Sequence, residues 1–203
     1  MKQLNHCPAP LACASIMLLL AASPCSAALL GTQLGVQLGY QVTSVNYMQL
    51  CTTLNTATVA EPGVEFPSLA SLGNSCSPLY TVNVDINAGD DFLEIAFANA
   101  NSATFAHAFF NGYIFTFTSD AAIAFQSATI NASVTTLGLT PSRVNFSGNQ
   151  LFVNVADLPF TPTSFARIDL TTVPLPPTAW LLATGLLGAL RWGKKVTSAR
   201  ALR

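Results

Sequence analysis

Few residues in this chain have the chemistry to act on anything. Between residues 28 and 172 there is one histidine, His107, within Ala106-His107-Ala108-Phe109. A Ser/His/Asp device needs that histidine to meet one serine and one carboxylate. Serines are plentiful, but no nucleophile-elbow spacing selects one, so His107 reads as a strand residue. Zinc wants three or four His, Cys or acidic ligands together, and no such spacing occurs. Nothing picks a glycosidase-type pair from the nine acidic residues. The one oxygen-rich constellation is Asp85, Asn87, Asp90 and Asp91 around Gly89, ligand types that calcium uses. Its spacing imitates the first half of an EF-hand loop, but the twelfth position is Ala96, not the bidentate glutamate. Asp and Asn also favour turns for local hydrogen-bonding reasons. The expected state is an ordinary solvated hairpin, with calcium a weak candidate. The sequence therefore predicts no enzyme and no cofactor.

The elements that must carry these residues read as strands. Tyr80-Thr81-Val82-Asn83-Val84-Asp85-Ile86 alternates polar and apolar, which places Tyr80, Val82, Val84 and Ile86 on one face. A turn at Asn87-Ala88-Gly89-Asp90 leads into Phe92–Phe97. Asn111-Gly112 is a strong hairpin signal, followed by the β-branched and aromatic run Tyr113–Thr118. Val144–Phe146 and Leu151–Val155 flank Ser147-Gly148-Asn149-Gln150, a second hairpin with a Gly-Asn turn. Ser164–Thr171 makes a last strand. Residues 61–78, with Pro62, Gly63, Pro67, Gly73 and Pro78, read as a long loop. Strands at roughly ten-residue intervals without a helix-period stretch predict an all-β chain, a single jelly-roll-like β-sandwich.

Both ends differ from this body. Lys2, the apolar Leu11–Ala22 and Pro24-Cys25-Ser26-Ala27 have the order of a secretory signal peptide, residues 1–27, with cleavage after Ala27. A lipoprotein signal at Cys25 would want a small residue where Pro24 stands. At the other end, residues 173–203 begin with Val173-Pro174-Leu175-Pro176-Pro177. An uncharged run from Ala179 to Leu190 follows, with Thr184 its only polar side chain, and then the basic Arg191, Lys194 and Lys195. The prolines fix φ and remove backbone donors, so this segment is expected to stay extended and outside any central strand. The apolar run, flanked by Trp180 and Trp192, reads as a transmembrane helix. Its basic side predicts a cytoplasmic C-terminus in the precursor.

Removing both ends changes what the composition means. The formal charge of −1 conceals a segregation: residues 28–172 hold nine acids against Arg143 and Arg167, a net charge of −7. Such a body is a poor partner for nucleic acid or an anionic membrane. Of five cysteines only Cys51 and Cys76 remain. An even pair in an oxidising compartment predicts a disulfide.

The C-terminal arrangement resembles the PEP-CTERM family of bacterial sorting signals, in its V-P-L-P variant. The residues that carry the likeness are Val173, Pro174, Leu175 and Pro176, then Trp180-Leu181-Leu182, Gly185-Leu186-Leu187-Gly188 and the basic tail. The resemblance implies recognition by an exosortase, a membrane-embedded enzyme that cuts near the motif. By association it implies a Gram-negative, exopolysaccharide-producing source and an envelope or matrix destination. The expectation is an exported, non-enzymatic protein of the envelope or extracellular matrix. A carbohydrate-binding module is the alternative, with Tyr40, Tyr47, Tyr80 and Tyr113 as the available stacking rings.

Overall fold

Apolar alternation becomes ladder pairing in a computed structural model that describes residues 28–76, 80–119 and 123–174. The strands run β1 (Gln33–Gln41), β2 (Gln49–Leu50), β3 (Asn55–Thr58), β4 (Asp85–Ala88), β5 (Phe92–Ala96) and β6 (Ala103–Thr104). They continue with β7 (Phe110–Thr118), β8 (Ile123–Ile130), β9 (Val144–Ser147), β10 (Gln150–Asn154), β11 (Pro159–Phe160) and β12 (Phe165–Pro174). The only helical pieces among the described residues are two 3₁₀ turns, Leu69–Leu72 and Pro141–Arg143. The protein is all-β, and every strand pairing is antiparallel.

One sheet has the order β2-β1-β7-β10-β9, with β3 lying beyond β2 along the same edge of β1. The second has the order β4-β5-β12-β8. Side chains from both sheets meet in one core: Val36, Phe115 and Leu151 from the first, Ile95, Ile168 and Leu93 from the second. The result is sandwich-like, with inward positions alternating along each strand. In β5, Leu93 and Ile95 are buried while Phe92, Glu94 and Ala96 are half-buried on the other face. β6 and β11 form a small separate pair beside the two sheets.

Several sequence expectations need correcting. Asn111-Gly112 is no hairpin; both residues lie inside β7, a central strand paired to β1 and β10. The glycine is required for proximity instead, because a Cβ on Gly112 would run into the carbonyl of Val153. The strand expected from Tyr80 begins only at Asp85. Val84 and Ile86 are buried as the alternation requires, but Tyr80 is 93% exposed. The residues before β4 are held by the preceding loop, where Leu69 N–H donates to Val84 O and Ser68 Oγ donates to Asn83 Oδ1.

That loop is ordered by burial. Phe66 and Leu69 enter the core, and Phe66 exchanges both backbone hydrogen bonds with Ile86. The loop thereby covers the outer edge of β4, which would otherwise offer unpaired backbone groups. The hairpin at Gly148-Asn149 is present as a two-residue connection, with Gln150 opposite Ser147 and Gly148 at φ 59°.

The last strand also departs from expectation. β12 runs through Pro174, with Val173 opposite Ala124 and Pro174 opposite Ile123 in β8. The first two residues of the proline segment thus belong to the sheet. The physical reason is that β5 pairs with β12 only as far as Asp169. Past Leu170, whose N–H still donates to Asp91 O, the strand partners of β12 among the described residues lie in β8, and at such an edge a residue lacking a donor is tolerated. Leu175, Pro176, Pro177, the run Ala179 to Leu190, the basic Arg191, Lys194 and Lys195, and residues 1–27 lie outside the described residues.

Candidate functional site: an amide-lined cleft

The four calcium-type residues do not converge. Asp85 accepts from Asn99 Nδ2 at 2.9 and 3.1 Å, and Asn87 Nδ2 donates to Glu94 Oε2 at 3.0 Å. Both sit on the outer face of the β4–β5 hairpin, while Asp90 and Asp91 are exposed in its turn. Among the described residues no three His, Cys, Asp or Glu side chains group to hold a metal. The hairpin geometry explains this: residues 85 and 87 share the half-buried face of β4, where the Asp85 carboxylate is already taken by Asn99, whereas residues 90 and 91 lie in the turn.

His107 lies in an irregular segment between β6 and β7, not in a strand. Its Nδ1 meets the carboxylate of Asp157 at 2.9 Å, with 88% of the histidine side chain exposed. The pair lies open to water, a setting in which ion pairs contribute little.

Cys51 and Cys76 are joined in a disulfide, with Cα atoms 4.9 Å apart. Ser75 reinforces the link, since its N–H and hydroxyl both donate to Cys51 O at 2.7 and 3.1 Å. The bridge ties the loop that precedes β4 to the end of β2. On the outer face of the second sheet, Arg167 donates to Asp169 at 2.9 Å and Glu94 at 3.1 Å and stacks 3.9 Å from the Phe92 ring centre. The hydrogen bond to Asp169 and the two carboxylate fields raise its pKa against the cost of desolvation.

The feature not foreseen from sequence is a cleft of about 510 Å3. Its floor is aromatic: Phe105, Tyr113 and Phe160. These rings are held by mutual contact, Phe105 lying 4.6 Å from Phe160 and 6.5 Å from Tyr113, centroid to centroid. Burial drives the Tyr113 phenol pKa well above its ordinary value. The walls carry the amides of Asn83, Asn99, Asn101 and Asn111, and Tyr80 stands at the rim. No described residue lining it is charged.

Several of these amides are already oriented. Asn83 uses its oxygen to accept from Ser68, Asn99 uses its NH2 to reach Asp85, and Asn111 donates its NH2 to Ala106 O at 3.0 Å. Asn83 thus keeps donors for a ligand, whereas Asn99 and Asn111 keep carbonyl oxygens. The cleft draws on β1, β6, β7, β11 and the segment before β4. The density of asparagine between residues 74 and 111 was the available signal, but nothing local says that these side chains meet. Of the four tyrosines, Tyr80 and Tyr113 enter the cleft, and Tyr47 is 99% exposed elsewhere. Compared with known protein families, curated proteins and solved structures, the chain matches none of them.

Proposed function

We propose that this chain is an exported protein of the cell envelope or extracellular matrix with a non-enzymatic structural role, processed by an exosortase-type membrane enzyme. In this reading residues 1–27 are a signal peptide, the body is a jelly-roll-like sandwich, and Ala179 to Leu190 hold the precursor in the membrane with the C-terminal tail in the cytoplasm. The observation that carries it is the Cys51–Cys76 bridge in a body flanked by those two terminal patterns. Disulfides persist in oxidising compartments, outside the cytosol. In a host with the cognate exosortase, Pro174→Ala combined with Pro176→Ala should accumulate uncut, membrane-held precursor. Normal processing of that double variant would remove the proline motif from the proposal.

A second reading, a carbohydrate-binding module, is favoured by one specific observation. Aromatic floor and amide walls together match a ligand with apolar C–H faces and many hydroxyl groups. The two readings are compatible, since a matrix protein can hold its place by gripping exopolysaccharide. Retention of the full chain on immobilised exopolysaccharide, competed by soluble glycan, tests it.

A further inference from the structure

We infer that the cleft takes a stretch of uncharged saccharide, with Tyr80 as the stacking platform at its rim and Asn83, Asn99, Asn101 and Asn111 reading hydroxyl groups. This rests on the carbohydrate-binding reading and narrows it to a ligand class.

Charge excludes the anionic glycans. No described residue lining the cleft is basic. Both arginines of the body are engaged elsewhere: Arg143 donates to the carbonyls of Asn154 and Ala156, and Arg167 is held by Glu94 and Asp169. A uronate or phosphate would meet no cation there and would approach a body of net charge −7.

The amides exclude a purely apolar ligand. Covering them without hydrogen bonds would leave polar groups unsatisfied, at a cost of about 1–3 kcal/mol each. Sugar hydroxyls both donate and accept, which suits a wall that offers donors from Asn83 and acceptors from Asn99 and Asn111. Because those amides are already oriented by Ser68, Asp85 and Ala106, little ordering is needed on binding. Tyr80, 93% exposed, presents a ring with an apolar face and a polar edge to the entrance. The volume, about 510 Å3, lies within the range of small-molecule sites and suits a short stretch of a longer chain.

The test is calorimetric titration of the oxidised full chain in mild detergent. One ligand set is neutral (gluco-, manno-, galacto- and N-acetylglucosamine oligomers) and the other is oligouronates of equal length. The expected result is saturable binding to at least one neutral series and none to the uronates. Tyr80→Ala and Asn101→Asp should each weaken neutral binding about tenfold. Both positions are exposed, so thermal melts of the variants should match the parent. Neutral binding unchanged in both variants would overturn the assignment to this cleft. Binding confined to uronates would overturn the neutral class while leaving the carbohydrate reading standing. No binding to either set would overturn both.

Discussion

Gly112 of β7 lies so close to the carbonyl of Val153 in β10 that a single added methyl group has no room. The obstacle is backbone in the middle of a six-stranded sheet, so it cannot swing aside. Overpacking of this kind costs roughly 1–3 kcal/mol and sometimes more. Gly112→Ala should therefore lower stability by about 3 kcal/mol, read as a reduced denaturation midpoint at unchanged slope. A midpoint equal to the parent would show that β10 moves aside freely.

The Cys51–Cys76 bridge closes a separation of 25 residues. On the chain-entropy model a loop of that size stabilises by roughly 3–4 kcal/mol. Cys51→Ser with Cys76→Ser should lose about that much in urea unfolding. Cys51 also lines the cleft, so the same variant should bind neutral saccharide more weakly.

Arg167 joins two carboxylates and an aromatic face in a half-buried setting. A lysine keeps the charge but not the fork or the planar stacking. Arg167→Lys is expected to cost about 1 kcal/mol, and Arg167→Met about 2, because Glu94 and Asp169 then lose a charged donor. Equal stability of all three proteins would show that the cluster contributes nothing.

Burial raises the Tyr113 phenol pKa in the folded state. Its unfolded value is about 10. Below that the contribution to stability is constant. Above it the unfolded chain loses the proton first, so folding weakens with rising pH at up to about 1.4 kcal/mol per unit. Melting temperatures at pH 8 and pH 11 should diverge less in Tyr113→Phe than in the parent. Identical pH dependence would show that the phenol is not shielded.

Calcium should leave the melt unchanged between chelator and millimolar ion. The Asp85 carboxylate is taken up by Asn99 on the outer face of its hairpin, and among the described residues no three acidic side chains group there. A calcium-dependent rise that vanished in Asp90→Ala would restore the turn as a cation site.

The readable parts of the fold were those whose cause is local. Leu151-Phe152-Val153 alternates as a half-buried strand must, and Gly148-Asn149 supplies the turn that returns it to β9. Phe165–Thr171 alternates in the same way and is a strand. The misread parts share one cause. Asn111-Gly112 has a strong turn preference, but pairing on both sides holds it extended between Gly39–Tyr40 and Asn154. Tyr80 continues the period of Val82 and Val84, but the chain there meets a loop where the period expected a neighbouring strand. Val173 and Pro174 carry the residues of an excluded segment, yet β8 continues to pair with them past the end of β5.

Composition and pattern by themselves determined that this body is all-β, acidic and supplied with one cysteine pair. Those properties depend on residue types and on neighbours within a few positions. Only the tertiary structure decided that Asn83, Asn99 and Asn111 share a cleft with Tyr113 and Phe160, and that Gly112 is a point of contact, not a turn. Such meetings depend on which distant strands pair and in what register. That choice is made by burial across the whole core, and no local stretch of residues records it.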